Sequence, residues 1–491
     1  MARFYIENFG CRATQADGAA LERQFLERGL ERAGAARDAE IVVLNTCTVT
    51  EGADKDARAS IRRLQRVNPE CRILVTGCYA QRAPEELAAL PGVTWVVGNS
   101  HKHHAAAIAT SLFSSSSSSS SSSGFVSLRQ LAGDRGGNVV VGDIFAHTEL
   151  LAAPVFEAAN DRTRPNLKVQ DGCDNRCSFC VIPYVRGQSR SLPRERVITE
   201  VRTLVEAGYR EVVISGINLG RWGRDLESSS QFSVLSSQLK PTANDQRLES
   251  LVRDILERTS LEKLRISSVE PMDWSDELIA LVASSSRIAK HAHVPMQSGS
   301  DAVLRRMHRK YRPWHYRERI LKLRAAMPTA AIGADVMVGF PGETEAEFGE
   351  TRRMVEELPL TYLHVFTYSA RPGTPAAEQP GQVPVAVARE RNRVLREIAS
   401  KKKAAFMRSL VGTVVEAITL QSGGAQFTEA LTENYVKVKV SGHHEANRWI
   451  DMNVEGVDGE MLLGHRILGQ RMLPPEREIA PASPTGLPHR C

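Results

Sequence analysis

Three cysteines lie within eight residues of this chain, at Cys173, Cys177 and Cys180. A single loop with this spacing can present three thiolates to one metal cluster. A structural zinc site needs a fourth ligand, and no histidine or cysteine follows at zinc-finger spacing. Three thiolates on a cube of four irons leave one iron open for a substrate or cofactor. The alternative is three unrelated buried cysteines, but the charged and amide residues between them make the loop polar.

The composition sets wide bounds. A chain of 491 residues with 42% hydrophobic and 24% charged residues can build about three cores. Its 63 basic and 57 acidic residues permit a nucleic-acid partner without requiring one. Eight cysteines are too sparse for a disulfide framework, and no stretch approaches the ~20 apolar residues of a membrane span. We expect a cytoplasmic protein with no membrane contact.

Residues 1–112 alternate between apolar runs and helical patterns, which predicts a parallel sheet covered by helices. Predicted strands are Phe4 to Ile6, Ile41 to Leu44, Ile73 to Val75 and Val93 to Val97, and predicted helices include Ala20 to Leu30 and Ala53 to Val67. Cys11, Cys47 and Cys78 lie just beyond the first three strands, so the sheet should bring them to one edge. They could hold a second metal centre, or they could be ordinary buried cysteines.

Residues 113–160 form a serine-rich insertion and linker, with ten consecutive serines from Ser114 to Ser123. We expect this tract and the polar stretch at 228–246 to be flexible. Residues 161–400 contain a longer βα series, which indicates an incomplete barrel of six parallel strands. The predicted strands are Leu167 to Gln170, Glu211 to Ser215, Lys263 to Ser267, Ala292 to Pro295, Ile332 to Val338 and Tyr362 to Thr367.

The remainder reads as a basic helix from Arg389 to Met407 and a small all-β domain at 408–474. Short β-branched runs separated by glycine indicate that domain. They are Val414 to Leu420, Val436 to Val440 and Arg448 to Val454. The predicted fold class is therefore α/β, with a parallel-sheet domain, a partial (β/α)6 barrel and a small β-barrel in that order.

The cysteine spacing, with the aromatic Phe179 just before the last cysteine, resembles the radical S-adenosylmethionine (SAM) enzymes. The resemblance implies a 4Fe-4S cluster on Cys173, Cys177 and Cys180. Its open iron would chelate SAM, whose reductive cleavage yields a 5′-deoxyadenosyl radical. It also implies that the partial barrel is the fold of that family.

Together with Cys11, Cys47 and Cys78, the domain order resembles the methylthiotransferase branch, whose carboxyl-terminal module is the RNA-binding TRAM type. The resemblance implies that these three cysteines hold a second 4Fe-4S cluster. Two molecules of SAM are then used per turnover, one to methylate sulfur and one to supply the radical. One departure from the family pattern is Thr14, where asparagine is usual. Cys71 and Cys491 match no ligand of the family, and we interpret them as a packing residue and a tail thiol.

Cofactor-contacting residues are expected at the strand ends of the barrel. Small or polar groups there could approach the amino acid and ribose of SAM, and Asp335 inside an apolar strand needs a partner. The predicted set, beside Phe179, is Ser215, Gly216, Asn218, Ser268, Glu270, Gln297, Asp335 and Gly339. The lone histidines His293 and His364 are interpreted as satisfied core or rim residues.

The segments Asn45 to Thr50 and Ser267 to Pro271 resemble the branch that acts on threonylcarbamoyladenosine beside the tRNA anticodon. Alternatives within the family are isopentenyladenosine of tRNA and an aspartate of a ribosomal protein. An alternative of another class is a metal-stabilised RNA-binding protein without catalysis. Further expected properties are a flavodoxin or ferredoxin as electron donor and a monomeric state.

Phosphate contacts are expected from the barrel rim and the basic helix. Val411 to Gly469 contain four basic and eight acidic residues, so the β domain cannot present a uniformly positive surface. Basic residues that suit a polyanion or form a solvated helical face are Arg186, Arg190, Arg305, Arg306, Arg309, Lys310 and Arg312.

Overall fold

A computed structural model describes residues 2–111, 138–146, 150, 163–226, 247–424 and 426–467. The serine tract, the polar stretch at 228–246 and Cys491 lie outside these residues. Within the described part, no helix combines the length and apolarity needed to cross a membrane.

The amino-terminal unit is a six-stranded parallel sheet in the order β2-β1-β3-β4-β5-β6. Its central strand β3 is buried at every position, as expected where helices cover both faces. The strands are β1 (Arg3–Asn8), β2 (Glu31–Arg32), β3 (Ile41–Thr46), β4 (Arg72–Gly77), β5 (Val93–Gly98) and β6 (Val139–Val140). The predicted parallel sheet is confirmed, with β2 and β6 as additional short edge strands.

Among the described residues, five α-helices accompany this sheet: α1 (Arg12–Glu27), α2 (Glu51–Val67), α3 (Cys78–Arg82), α4 (Pro84–Ala88) and α5 (Ala105–Thr110). The first begins eight residues before its predicted start at Ala20. Its first turns bury small residues such as Ala13 and Ala16, which give a weak hydrophobic signal in sequence. It ends before Gly29, whose φ of 77° breaks the helix.

The central unit contains the six predicted parallel strands. Together with one short antiparallel strand, β8, they form two hydrogen-bonded groups, β10-β9-β7-β8 and β11-β12-β13, joined by parallel bridges Leu264↔Ile288 and Ser268↔His293. The strands are β7 (Asn166–Asp171), β8 (Arg190–Ser191), β9 (Glu211–Gly216), β10 (Lys263–Ile266), β11 (His291–His293), β12 (Ala331–Val338) and β13 (Tyr362–Thr367). The short β8 is antiparallel to β7 at one edge, so the barrel is open.

The helices of this unit pack on the outside of the sheet around one large core. They are α6 (Ile182–Arg186), α7 (Arg194–Glu206), α8 (Leu248–Arg258), α9 (Asp276–Ser284), α10 (Asp301–Arg306), α11 (Pro313–Ala326), α12 (Glu345–Glu357), α13 (Pro375–Glu378) and α14 (Val385–Ser409). The last is the predicted basic helix, and it packs against β13 before the chain enters the final unit.

The carboxyl-terminal unit is a closed barrel in the order β14-β15-β16-β18-β17. Its strands are β14 (Val414–Gly424), β15 (Phe427–Thr432), β16 (Lys437–Ser441), β17 (Trp449–Asp458) and β18 (Met461–Arg466). It docks at the start of β10, where Lys263 Nζ lies 2.5 Å from Glu416 Oε2 and Arg265 Nη1 donates to the Glu433 carbonyl at 2.9 Å.

Candidate active site

The first cysteine trio lies at one edge of the amino-terminal sheet. Cys11 follows β1, Cys47 follows β3 and Cys78 opens α3 directly after β4. These three parallel strands are neighbours, so their carboxyl ends meet, as the sequence predicted. A hydrogen bond between the Cys11 and Cys47 thiols lowers the pKa of Cys11 well below its usual range and raises that of Cys47.

Close approach of the first two cysteines depends on Gly10. Its φ of 89° favours glycine, and an added Cβ would lie 2.8 Å from Cys47 Sγ. Thr14, the departure from the family pattern, lies 3.5 Å from Cys11 Sγ through its hydroxyl. The threonine therefore contacts the first cysteine directly.

The second trio lies on the loop after β7. Cys173 Sγ accepts hydrogen bonds from the Asn175 amide at 3.4 Å and from Asn218 Nδ2 at 3.7 Å. Cys177 Sγ accepts one from Arg309 Nη1 at 3.3 Å. Burial raises the pKa of Cys173 to about 11 and that of Cys180 to about 12. Metal binding by these thiols would therefore release protons.

The two trios are close in space. Cys78 packs with Val181, Ile182 and Val185 of the segment that follows the second trio, and Cys173 and Cys180 contact the same cluster. Asn99 Nδ2 lies 3.5 Å from Cys78 Sγ and donates to the Val185 carbonyl at 2.7 Å. The sheet edge of the first unit therefore faces the mouth of the barrel.

A cavity of about 1450 Å³ lies between the three units. Five of the predicted site residues line it, namely Cys11, Ser215, Gly216, Ser268 and Asp335. Residues with no predicted role also line it, namely Arg12, Arg164, His291, His293, Tyr362, His364 and Tyr435. The carboxyl-terminal barrel contributes Tyr435, so all three units form one chamber.

Polar atoms around this chamber fit a polar cofactor. Ser215 Oγ, Asn218 Oδ1 and Gln297 Oε1 are buried, and no described residue hydrogen-bonds to them. A buried atom left in this state costs about 1–3 kcal/mol unless a ligand pairs with it. Gln297 also has a φ of 60°, a strained conformation that is frequent at binding sites.

Two predicted cofactor residues have other contacts. Glu270 accepts from Arg309 Nη2 and lines a smaller neighbouring cavity with Cys177. Gly339 is absent from the lining of the large chamber, and an added Cβ would lie 2.6 Å from Ala388 Cβ on α14. In this structure Glu270 orients an arginine, and Gly339 permits helix packing. Phe179 contacts Phe340 edge-on, with ring centroids 6.4 Å apart.

The basic residues expected at the rim are largely in ion pairs. Arg186 is 2% exposed, and its guanidinium donates to Asp171 and Asp17 at 2.9 Å. Arg309 is also buried, and Arg306 pairs with Glu347. Both Arg305 and Arg312 pair with Asp301. The expectation that Arg186 and Arg309 bind a polyanion is wrong, because both are buried and already paired, Arg186 with Asp17 and Asp171 and Arg309 with Glu270.

Two histidines interpreted as satisfied core or rim residues line the chamber, and His293 Nδ1 shares a hydrogen bond of 3.0 Å with Ser268 Oγ. His293, Asp335 and His364 lie on β11, β12 and β13, and their ligand atoms lie within 4.8 Å of one another. His293 Nε2 is 3.2 Å from Asp335 Oδ1, although the geometry is not that of a hydrogen bond. The side-chain period of two in strands β12 and β13 could have indicated this shared inner face. These groups could bind a polar substrate or a cation.

Buried charges connect the amino-terminal unit to the barrel. Asp17 of α1 accepts hydrogen bonds from Lys102 Nζ at 2.9 Å, from Arg186 Nη2 at 2.9 Å and from Lys168 Nζ. Burial alone would raise the pKa of Asp17, but these three cations lower it. The network fixes α1, and with it the loop that carries Cys11, against the first strand of the barrel.

Known families match both large units. The model described as Uncharacterized protein family UPF0004 matches residues 3–98, and that of the Radical SAM superfamily matches residues 167–355. Threonylcarbamoyladenosine tRNA methylthiotransferase MtaB of Bacillus subtilis is 37% identical over 90% of this chain and 91% of its own length. The protein of the same name in Aquifex aeolicus is 34% identical over 91% and 98%.

A second group of relatives has a different name. The tRNA-2-methylthio-N(6)-dimethylallyladenosine synthase of Erythrobacter litoralis is 32% identical over 86% of this chain and 87% of its own length. Among solved structures, the radical S-adenosylmethionine methyltransferase TsrM from Kitasatospora setae, with a SAM analogue bound, has a TM-score of 0.52 at 14% identity. It covers 86% of this chain and 79% of its own, a likeness of fold.

Proposed function

Because this chain belongs to the radical SAM methylthiotransferase family, we propose that it converts N6-threonylcarbamoyladenosine at position 37 of tRNA to the 2-methylthio derivative. The single observation that carries the proposal is that the two cysteine trios lie close together, since Cys78 of the first trio packs in one cluster with Cys173 and Cys180 of the second. One trio alone would serve radical generation. Two neighbouring trios would provide separate places for radical generation and for sulfur, which this reaction needs.

The second trio, Cys173, Cys177 and Cys180, would hold the 4Fe-4S cluster that binds SAM. Such a cluster supplies the electron for reductive cleavage of the sulfonium. Asn218 and Arg309 orient the trio through hydrogen bonds to Cys173 and Cys177 sulfur. The unpaired amide oxygens of Asn218 and Gln297 would accept hydrogen bonds from the amino acid or ribose of SAM, and the Ser215 hydroxyl would donate or accept one.

The first trio, Cys11, Cys47 and Cys78, would hold a second 4Fe-4S cluster at which the methylthio group is assembled. Cys11 is exposed and lines the chamber, whereas Cys47 and Cys78 are buried. The exposed side of such a site therefore faces the space where a base could enter. The buried residues around Cys47 and Cys78 exclude water from the opposite side of this site.

The threonylcarbamoyl substrate is supported by relatives of that name at 33–37% identity over about nine-tenths of the chain. The relatives named dimethylallyladenosine synthases reach 32%. We further propose tRNA as the macromolecular partner, a flavodoxin or ferredoxin as the electron donor, and a monomer acting in the cytoplasm. The domain limits 1–112, 161–400 and 408–474 remain our proposed division of the chain.

Nucleoside mass spectrometry of tRNA tests this function. We expect tRNA from a deletion strain to lose 2-methylthio-N6-threonylcarbamoyladenosine and to regain it when the gene is restored. Anaerobically reconstituted protein should contain iron and sulfide and convert the same nucleoside in vitro. Unchanged tRNA in the deletion strain, or a colourless protein that binds only zinc, would contradict the proposal.

Cysteine variants separate the two trios. Cys173→Ala should abolish SAM cleavage, because the open iron is lost. Cys47→Ala should retain SAM cleavage and lose the methylthio product, because only the cluster proposed on Cys11, Cys47 and Cys78 is affected. Cys71→Ala is the control, since this buried cysteine packs in the core behind the sheet. Equal cleavage in all three variants would contradict the assignment.

A further inference from the structure

Arg12 is a partly exposed arginine at the wall of the chamber. It lines the chamber one residue after Cys11. Among the described residues its guanidinium donates one hydrogen bond, to the Tyr435 hydroxyl at 3.2 Å. The other arginine of the lining, Arg164, lies 3.6 Å from Glu211. Arg12 therefore presents unused N–H donors and an uncompensated charge to the chamber.

Tyr435 is held firmly beside this arginine. Its φ of 67° is rare for a residue other than glycine, and such strain persists only where surrounding contacts fix it. The Tyr435 amide donates to the Thr432 carbonyl at 3.0 Å, and the Val436 amide donates to Thr432 Oγ1 at 2.8 Å. The ring packs against His291, with centroids 4.8 Å apart. A tight turn therefore projects this side chain from the β-barrel into the chamber.

The charges around Arg12 favour an anion. Asp335 is the single carboxylate among the described residues of the lining, and it lies beside His293 rather than at Arg12. His291 and Tyr362, near the Arg12–Tyr435 pair, are neutral polar groups joined by a hydrogen bond of 2.7 Å. Glu211, below this end of the chamber, is already bound by Arg265 Nε at 2.6 Å.

We propose that Arg12 and Tyr435 form a subsite for the carboxylate of the threonylcarbamoyl group on the substrate adenosine. This inference rests on the proposed function and specifies how its substrate is chosen. An arginine fork can donate two parallel hydrogen bonds to a carboxylate, and the tyrosine hydroxyl adds a third donor. Because Arg12 follows Cys11 directly, the subsite lies at the same edge of the chamber as the proposed sulfur site.

The subsite explains how this chain would reject an isopentenyl group. An isopentenyl group bound at this subsite would leave the Arg12 guanidinium desolvated and without a partner. The free-energy cost of that state is larger than the loss of the electrostatic attraction alone. It also gives the carboxyl-terminal barrel a part in substrate choice, because one of the two donors comes from that unit. Tyr435 is in this sense a specificity residue rather than a general RNA contact.

The test uses anticodon stem-loop RNAs that differ in one group. One carries N6-threonylcarbamoyladenosine and the other its methyl ester, which removes the negative charge. For the wild-type protein we expect a KM about tenfold to a hundredfold lower for the acid. Arg12→Gln should raise the KM for the acid by a similar factor and leave that for the ester nearly unchanged. Tyr435→Phe should raise the KM for the acid about threefold to tenfold.

Arg23→Gln is the matched control, because Arg23 lies on the same helix and pairs with Glu27 at the surface. Iron content of each variant shows whether the cluster beside Arg12 is retained, and Tyr435→Phe tests the subsite from a different unit. Equal KM values for acid and ester in the wild type would overturn the subsite while methylthio product still forms. Absence of product from both RNAs would overturn the proposed function and the subsite with it.

Discussion

At the scale of single residues, Gly10 controls the distance between two cysteines. Gly10→Ala should remove about half of the iron, because the new Cβ would lie 2.8 Å from Cys47 Sγ. Cys11 and Cys47 could then not approach closely enough to bind one cluster. SAM cleavage should persist, since the second trio is untouched. Iron analysis and a cleavage assay of reconstituted protein measure both effects.

The control for this variant is Gly29→Ala. Gly29 also has a positive φ, 77°, but an added Cβ would meet nothing within 4 Å. It therefore carries the same backbone cost, about 1–2 kcal/mol, without the collision. Equal iron loss in both variants would show that backbone strain, rather than contact with Cys47, is responsible.

Arg309 is the second residue for which a single substitution gives a specific prediction, here on the cluster proposed on Cys173, Cys177 and Cys180. Its guanidinium donates to Cys177 Sγ at 3.3 Å and to the half-buried Glu270. Arg309→Gln should make the reduction potential of the cluster proposed on Cys173, Cys177 and Cys180 more negative, because a positive charge beside its sulfur is removed. Activity should fall about tenfold to a hundredfold, as is usual for groups that orient metal ligands.

Electron paramagnetic resonance during a redox titration measures that potential. Arg305→Gln serves as the control, since Arg305 is exposed and pairs with Asp301 on its own helix. An unchanged potential in Arg309→Gln, with activity lost, would mean that the arginine only supports the fold of the loop.

At the scale of elements, α1 is attached to the barrel through Asp17. Asp17→Asn leaves three buried cations short of a partner, so we expect the free energy of unfolding to fall by about 3–5 kcal/mol. Thermal unfolding of the apoprotein measures this change. Glu27→Gln, at the exposed end of the same helix, should change stability by less than about 0.5 kcal/mol.

The same network predicts a pH dependence. Burial opposes ionisation of Asp17 and Asp171, yet the neighbouring cations lower the pKa of both below that of an unfolded chain. Carboxylates of this kind stabilise the fold above the unfolded pKa of about 4, and that stability is lost as the pH falls further. We expect acid unfolding curves of the wild type to be steeper below about pH 4 than those of Asp17→Asn. Parallel curves would contradict this.

Elements with strong local patterns were predictable, and contacts between units were not. Apolar runs identified the six barrel strands, and strand order brought Cys11, Cys47 and Cys78 together. The strands β15 and β18 were missed, because β15 has no continuous apolar run and the short apolar run of β18, Met461 to Leu463, contains no β-branched residue. Tyr435 could not be predicted, because its position depends on a strained turn and on docking of one unit against another. Arg186 and Arg309 appeared to be surface charges because sequence does not reveal which carboxylates lie opposite them.

At the scale of the whole molecule, the chamber exists only when the three units are assembled. The first unit contributes Cys11 and Arg12, the barrel contributes Ser268 and Asp335, and the last unit contributes Tyr435. Ion pairs at both junctions, such as Arg186 with Asp17 and Lys263 with Glu416, fix this arrangement. The proposed sulfur site, radical site and substrate subsite would thus depend on one relative placement of the three units.

Binding of tRNA should depend on α14 more than on the acidic β-barrel. Lys402 donates to the carbonyls of Glu356 and Leu358, and Lys403 pairs with Glu460, so these two lysines are already engaged. Arg396, Lys401 and Arg408 on the same helix are exposed. Replacing these three with glutamate should weaken tRNA binding and reduce the slope of log Kd against log salt by about two, since each phosphate contact contributes about 0.7–0.9.

The matched control is the double variant Lys437→Glu and Lys439→Glu on the β-barrel, where Lys439 pairs with Asp458 and acidic residues outnumber basic ones. We expect its salt slope to change by less than one. Fluorescence anisotropy with labelled tRNA over a range of salt concentrations measures both slopes. If the β-barrel variant lowers the salt slope more than the α14 variant does, the main phosphate contacts lie on the β-barrel. Tyr435, which we propose selects the substrate base, would then belong to the same unit that binds the tRNA backbone.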